Sequence, residues 1–213
     1  MNTIKRKYES PRQIARQASI LRTTREMLSE VGYHATTIRG LAQKAGVAPG
    51  TLYNLYNSKD ELVLAAVEDL LSEIYVEADQ SSAPGIDRIL ALAGGLADAT
   101  VANPEYAEAM GRALFGVDPD DPLTETLYAR GIPEFERNLV DAQASGEVRE
   151  DIDVHTIAVQ LQAQGWGIVM AWLMGIIPLE DLRTEFMRCQ LVILVQVAQP
   201  DAVAELTGRI NNL

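Results

Sequence analysis

Apolar residues recur with helical spacing along the whole sequence, in segments of about 10–20 residues separated by turn residues. No run alternates apolar and polar residues for long enough to predict a strand. Helix start signals accompany these segments: Ser10-Pro11-Arg12-Gln13 and Ser58-Lys59-Asp60-Glu61 both have the form of a capping box. The chain is therefore predicted to fold as an all-α protein.

Two short helical segments meet at a glycine in the stretch TTIRGLAQKAGVAPGTLYNLYNSKDEL, residues 36–62. The first is predicted to start after Thr37 as its cap, and the second to begin at Pro49. Ala42 is a small residue at the contact between them, and Gly46 allows a sharp turn. This arrangement is a helix-turn-helix, a motif whose second helix enters the major groove of DNA.

The side chains left outside this motif suit contact with DNA. Arg39 has a guanidinium that can pair with guanine O6 and N7, and Thr37 places a hydroxyl at a helix N-terminus, where phosphate binds. The residues predicted to contact DNA are Thr37, Arg39, Lys44, Gly50, Thr51, Tyr53, Asn54 and Lys59. For Thr37 and Asn54, a plain helix cap and a solvated amide respectively remain open as alternatives.

Charge is divided unevenly along the chain, which has a net charge of -12. Residues 1–59 contain ten basic and three acidic side chains, which leaves eight basic and 27 acidic side chains for residues 60–213. A basic N-terminal module on an acidic body indicates a polyanionic partner for the module. The tail residues Lys5, Arg6 and Lys7 are interpreted either as an arm that reaches DNA or as a disordered segment.

Residues 16–62 resemble the N-terminal domain of the TetR family (tetracycline-repressor-like) of bacterial transcriptional regulators. The resemblance rests on the following motifs: Gly32-Tyr33, Thr36-Thr37-Ile38-Arg39, Leu41-Ala42, Ala45-Gly46-Val47, Gly50-Thr51-Leu52-Tyr53, and Ser58-Lys59 followed by acids. Some positions depart from the family pattern: Thr23-Thr24 replaces Ala-Ala, Leu28 replaces Phe, Ala48 replaces a capping Ser, and Leu55 replaces a His or Tyr that contacts the DNA backbone. Leu55 is instead a candidate for contact with a thymine methyl group.

The resemblance implies a three-helix DNA-binding domain over residues 1–60, joined by a long helix to a helical effector-binding and dimerisation domain over residues 61–213. It implies a repressor that binds a palindromic operator as a homodimer and leaves it when a small-molecule effector binds. The candidate effector-binding residues are Tyr106, Met110, Phe115, Tyr128, Trp166 and Met170, with Gln162 or Arg112 to orient a polar group. Aromatic and methionine side chains at helical spacing also suit a plain core, which stays open for each.

Two late segments are too apolar to face water over their whole surface. Residues 156–179 carry no charge, and residues 182–197 have a similar character. A membrane span is not expected, because only about 15 residues of the first segment are mostly apolar, whereas a span needs about 20. The two segments are predicted to form the interface of a homodimer, with burial inside a single subunit as the alternative.

The sequence offers little support for catalysis. It contains two histidines, His34 and His155, and no metal motif, phosphate-binding loop or dinucleotide fingerprint, so no catalytic residue, metal or cofactor is predicted. The N-terminal residues lack the apolar run of a secretory signal, and the single cysteine fits a reducing compartment, so the expected location is the cytoplasm. Cys189 is expected to be buried and inert, with redox or ligand sensing as the alternative. The rival function is an effector-free architectural or division-control protein that binds DNA with the same scaffold.

Overall fold

This computed structural model describes the backbone of residues 10–114 and 122–213, and the side chains of residues 10–111 and 131–213. The chain divides into two compact units, Met1–Leu70 and Leu71–Leu213. The division falls inside the fourth helix, whereas the sequence places the domain boundary near the start of that helix.

The described residues are almost entirely helical, which confirms the all-α prediction. The helices are α1 (Pro11–Ala35), α2 (Ile38–Lys44), α3 (Pro49–Leu55), α4 (Lys59–Ser81), α5 (Ile86–Ala102), α6 (Pro104–Leu114), α7 (Pro122–Ala144), α8 (Val154–Leu173), α9 (Leu182–Val197) and α10 (Pro200–Asn211). A short 3-10 turn, Leu179–Asp181, precedes α9. The only β pairing among the described residues is an isolated antiparallel bridge between Val148 and Ala198.

Side-chain caps mark where α1 and α4 begin. The backbone N–H of Ser10 donates to Gln13 Oε1 at 2.7 Å, and the Gln13 N–H donates to Ser10 Oγ at 3.3 Å, which confirms the capping box predicted for α1. At α4 the predicted box is half formed. The Glu61 N–H donates to Ser58 Oγ at 3.0 Å, but the Glu61 carboxylate accepts from the backbone N–H of Asn57.

Gly32 ends the regular part of α1. Its φ of 75° and ψ of 171° are not helical, and a side chain at this position would be strained. Thr36 closes the turn that follows, because its N–H and its hydroxyl both donate to the Gly32 carbonyl, at 3.2 and 2.7 Å. The chain then enters α2 with Thr37 as its N-cap.

The first unit has a small apolar core between its helices. Its buried members in this cluster are Ile20, Ile38, Leu41, Ala42, Leu52 and Leu62. Full burial of an aliphatic side chain of this size stabilises a fold by about 1.5–3 kcal/mol. One charged contact adds to this core: Arg25 on α1 lies 2.8 Å from Asp69 on α4 and donates to the Ala66 carbonyl at 3.3 Å.

The second unit is built around α9, which packs against α5, α8 and α10. The apolar side chains of α9 are buried mainly within the chain itself, in two clusters. Phe186, 1% exposed, packs with Ala93, Ala97 and Val169, while Leu191, Leu194 and neighbouring residues pack with α5, α7 and α8. Burial inside one subunit, the alternative that the sequence leaves open, therefore accounts for most of the apolar character of α9.

An uncharged strip nevertheless remains exposed on α8 and α9. It consists of Val159, Gln160, Ala163, Gln164 and Gly167 on α8, and Val192 and Gln196 on α9. We call these seven residues the α8–α9 strip. No helix of the described residues is long and apolar enough to cross a membrane.

The sequence predicts a helical stretch that Pro133 interrupts, whereas in the structure α7 continues through Pro133 from Pro122 to Ala144. A proline in a helix interior removes one backbone hydrogen bond and strains the preceding turn, so it can kink a helix without ending it.

Candidate nucleic-acid interface

The connection between α2 and α3 has the geometry of a helix-turn-helix. Gly46 has a φ of 66°, which lets the chain reverse within a few residues. The Val47 N–H donates to the Ala42 carbonyl at 2.9 Å and so closes the end of α2. Ala42 and Leu52 are both fully buried on the inner faces of their helices, so the opposite face of α3 points outward.

That outward face of α3 carries the predicted contact residues. Gly50, Tyr53 and Asn54 are exposed, with Tyr53 54% exposed despite its large ring, and Thr51 is half-buried. A Cβ built on Gly50 would meet no atom within 4 Å, so the backbone here is open to close approach. The structure therefore places these four residues together at the start and outer side of one helix, the part of a recognition helix that meets base edges.

The two predicted residues at the start of α2 differ in what they already do. The Thr37 hydroxyl accepts a hydrogen bond from the Gly40 N–H at 3.1 Å, so this side chain serves as a helix cap. Arg39 is exposed and makes no ion pair or hydrogen bond with another described residue. Arg39 is therefore available for a ligand outside the chain.

The two predicted lysines both have partners within the first unit. Lys44 lies 2.5 Å from the carboxylate of Glu30. Lys59 donates to the carbonyl of Tyr33 at 3.1 Å, and its Nζ lies 4.0 Å from the centroid of the Tyr33 ring. Local sequence patterns do not reveal these contacts, because each joins residues that are distant along the chain.

Other basic side chains of residues 1–59 also pair with carboxylates inside the first unit. Arg25 is half-buried against Asp69, and Arg22 lies 4.0 Å from Glu26. Among the described residues, the cations left without a carboxylate partner are Arg12, Arg16, Arg39 and Lys59. His34 is exposed and lies edge-on to Tyr33, with ring centroids 5.5 Å apart. Lys5, Arg6 and Lys7 lie outside the described residues.

The departures from the family pattern have local explanations. Ala48 precedes α3 without any side-chain cap, as expected for alanine in place of serine. Thr24 is fully buried, and its hydroxyl is satisfied by the Ile20 carbonyl at 2.9 Å. Leu28 is fully buried, while Leu55 is 40% exposed at the end of α3. The exposed Leu55 leaves its contact with a thymine methyl group as a prediction.

The candidate effector residues lie in the second unit, and four of them have described side chains. Tyr106 and Met110 are buried on α6, at 7% and 5% exposure. Trp166 and Met170 are half-buried and one turn apart on α8, which packs against α6. Gln162, one turn before Trp166, faces α7 so closely that a Cβ on Gly131 would clash with its Oε1. Phe115 and the side chains of Arg112 and Tyr128 lie outside the described residues.

Neither the histidines nor the cysteine of the described part form a reactive cluster. No group of three His, Cys, Asp or Glu side chains there is arranged to hold a metal ion. His155 pairs with Glu136 between α8 and α7. Burial raises the pKa of the Cys189 thiol to about 11, so this half-buried side chain stays a protonated thiol near neutral pH.

Tyr33 is the residue of this surface that sequence reasoning passed over. It was noted only as part of a motif, yet its carbonyl, ring and hydroxyl each contact a residue at the start of α4. The signal that could have found it is the Gly32-Tyr33 pair itself, since a glycine that redirects the chain fixes where the next side chain lies.

Comparison with known proteins agrees with this geometry. Residues 20–66 match the family described as bacterial regulatory proteins, tetR family. The HTH-type transcriptional repressor KstR of Mycobacterium tuberculosis is 33% identical over 153 residues, which cover 67% of this chain and 64% of that protein. KstR of Mycolicibacterium smegmatis is 31% identical over 138 residues, which cover 60% and 68%. The match therefore spans about two thirds of the length of these relatives.

A solved structure shows the same fold over most of the chain. The transcriptional regulator FadR from Bacillus subtilis, in complex with stearoyl-CoA, superposes with a TM-score of 0.64 at 17% identity and covers 83% of this chain and 95% of its own. The family assignment rests on the exposed face of α3, the matched N-terminal segment and the two KstR relatives. Together they show that the chain belongs to the TetR family of bacterial regulatory proteins and is a DNA-binding transcriptional regulator rather than an enzyme.

Proposed function

We propose that this regulator represses transcription from the cytoplasm as a homodimer that binds a palindromic operator and leaves it when a small-molecule effector enters the second unit. The observation that carries the proposal is the outward face of α3, where Gly50, Tyr53 and Asn54 are exposed together. The repressor role is supported by the two KstR relatives, both named as transcriptional repressors.

The α8–α9 strip supports the homodimer. It is free of charge and includes Val159 and Val192, which are 38% and 45% exposed. Small and uncharged side chains let two helices approach a second copy without burying unpaired charge. In a two-fold dimer, the two α3 helices must lie about 34–36 Å apart to enter successive major grooves on one side of the duplex.

The face of α8 that carries Gln162, Trp166 and Met170 supports the effector site. These residues are half-buried at successive turns of α8, and α8 packs against α6, on which Tyr106 and Met110 are buried. An apolar lining with one amide suits a ligand with a long apolar part and a polar group. The stearoyl-CoA bound by the FadR of Bacillus subtilis is a molecule of that class.

The first experiment is selection of random duplex DNA by the purified full-length protein, followed by sequencing of the bound pool. An enriched palindrome with half-sites one duplex turn apart is the expected result. Binding without enrichment would contradict the specific repressor and favour the effector-free architectural protein.

The second experiment uses stearoyl-CoA as a probe on the selected operator complex. Release of DNA is expected, together with a change in Trp166 fluorescence in a Trp172→Phe variant, which leaves Trp166 as the single tryptophan. Free coenzyme A is the control, because it lacks the apolar chain. Release by coenzyme A alone would contradict an apolar effector site.

A further inference from the structure

We propose that Tyr33 is a positioning residue for DNA binding: it holds the ammonium group of Lys59 in place for a backbone phosphate. This inference rests on the DNA-binding part of the proposed function and does not depend on an effector. It gives a role to a residue that lies outside the helix-turn-helix and makes Lys59 one half of a pair.

The position of Tyr33 follows from the backbone before it. Gly32 has a φ of 75°, and Thr36 returns two hydrogen bonds to the Gly32 carbonyl. These bonds fix the turn at the end of α1. Tyr33 therefore leaves the helix in a defined direction, toward the first residues of α4.

Three contacts join Tyr33 to the start of α4. Its carbonyl accepts a hydrogen bond from Lys59 Nζ at 3.1 Å. Its ring lies under the same nitrogen, at 4.0 Å from centroid to Nζ. Its hydroxyl donates to Asp60 Oδ1 at 2.5 Å, so the neighbouring residue holds the ring from its far end.

These contacts restrict Lys59 without satisfying it. An ammonium group has three N–H donors, and the contacts with Tyr33 use one of them for a hydrogen bond. No carboxylate of a described residue pairs with Lys59. A flexible lysine loses side-chain entropy when it binds a phosphate, and a lysine already held by a ring and a carbonyl loses less.

Lys44 provides the contrast within the same unit. Its ammonium lies against the carboxylate of Glu30, which must be given up or shared when a phosphate approaches. Tyr33 gives Lys59 two neutral partners instead, and neither cancels its charge. The geometry therefore favours Lys59 over Lys44 as the phosphate contact.

The test is a double-mutant cycle on the full-length protein, with Tyr33→Leu, Lys59→Met and the pair. The dissociation constant for the selected operator is measured between low and moderate salt. Lys59→Met is expected to weaken binding about tenfold per subunit at 0.1 M salt and to lower the slope of log K against log salt by about 0.9 per subunit. Tyr33→Leu is expected to weaken binding about two- to fivefold, as a cation–π contact supports, and to add nothing in the Lys59→Met background.

Two outcomes would overturn the proposal. One is an unchanged salt slope for Lys59→Met, which would remove Lys59 from the DNA surface. The other is an equal loss from Tyr33→Leu in both backgrounds, which would mean that Tyr33 acts through the fold alone. Tyr75→Leu, at a half-buried tyrosine of the second unit, is the matched control and should leave the slope and affinity unchanged.

A further variant keeps the test decisive if Tyr33→Leu does not fold. Tyr33→Trp retains a ring under the ammonium and is expected to keep the affinity, whereas a loss as large as that of Lys59→Met would contradict the proposal. Circular dichroism and urea unfolding check each variant. If the selection yields no operator, the same salt slopes are measured on a random duplex, so failure of sequence-specific repression is distinguished from failure of the Tyr33–Lys59 pair.

Discussion

Arginine side chains have different surroundings in the two units. In the second unit, every arginine whose side chain is described pairs with a carboxylate: Arg88, Arg137, Arg149, Arg183, Arg188 and Arg209. In the first unit, Arg39 is exposed without such a partner. One unit therefore neutralises its cations internally, and the other leaves some of them for an anion from outside the chain.

Because of this difference, one part of the polypeptide attracts a nucleic acid and the rest repels it. Residues 60–213 contain 27 acidic and eight basic side chains, so most of their surface repels a nucleic acid. The unpaired cations near α2 and α3 then mark the part of the chain that DNA can approach. Net charge alone would have hidden this, since the whole chain carries -12.

The largest expected effect comes from removing the guanidinium of Arg39, which has no carboxylate partner among the described residues. If Arg39 pairs with a base, Arg39→Ala should cost about 1–3 kcal/mol of binding free energy per half-site and relax the preference at one base pair. Operator titration with single-base variants measures this. Arg183→Ala, which removes an exposed arginine paired with Asp98, is the control and should not alter DNA affinity. A uniform loss across all sequences would show a phosphate contact instead.

The next largest effect is expected for Arg25, whose charge is used in an ion pair inside the first unit. Arg25→Met should lower the free energy of unfolding by about 1–3 kcal/mol, because it leaves the partly buried Asp69 carboxylate without its partner. Urea denaturation measures the change. Arg22→Met is the matched control on the same helix, since the Arg22 pair with Glu26 is exposed at 4.0 Å. Equal losses for the two variants would contradict a structural role specific to Arg25.

A smaller effect is expected where the first unit masks a lysine. Glu30→Gln removes the carboxylate that lies against Lys44 and should tighten DNA binding by about 0.5–1 kcal/mol per subunit at low salt. The gain should shrink as salt rises. Glu26→Gln removes a similar charge that lies beside Arg22 and controls for the general loss of repulsion. Equal gains for both changes would mean that Lys44 does not contact DNA.

The smallest effect is expected for a paired arginine of the second unit. The Asp87 carboxylate, and then that of Glu205, raise the pKa of Arg209, which lies 2.6 Å from Asp87 and 2.7 Å from Glu205. Because these groups are substantially exposed, Arg209→Ala should lower the unfolding free energy by about 1 kcal/mol at most. DNA affinity should stay the same. A clear change in that affinity would contradict the conclusion that only the first unit leaves cations for DNA.

Local signals in the sequence were enough to predict the helices of the first unit. These signals act through neighbours a few residues away, so their effects are visible in the sequence. They are Ser10 with Gln13, Thr37 before α2, Gly46 and Pro49. The exposed face of α3 followed from the burial of Leu52 on the opposite side. The prediction at Pro133 was wrong because a proline can kink a helix without ending it.

The contacts between distant residues could not be predicted in the same way. Lys59 and Tyr33 are 26 residues apart, and Arg25 and Asp69 are 44 apart. Periodicity indicates which face of a helix is apolar, but not which charged side chain will meet another. The effector residues remain predictions for a related reason: aromatic and methionine side chains such as Tyr106 and Met110 look the same in a core and in a pocket.

Gly32 limits how the DNA-binding unit can change during evolution. Its φ of 75° with a ψ of 171° belongs to a region of backbone conformations that is essentially restricted to glycine, so even asparagine, which tolerates the left-handed helical region, is a poor substitute. A substitution there would redirect Tyr33, the next residue in the chain, and thereby disturb Lys59, which is distant in the sequence. Operator recognition can therefore change through substitutions of Tyr53 and Asn54 on the surface of α3, whereas the turn at the end of α1 permits only glycine at position 32.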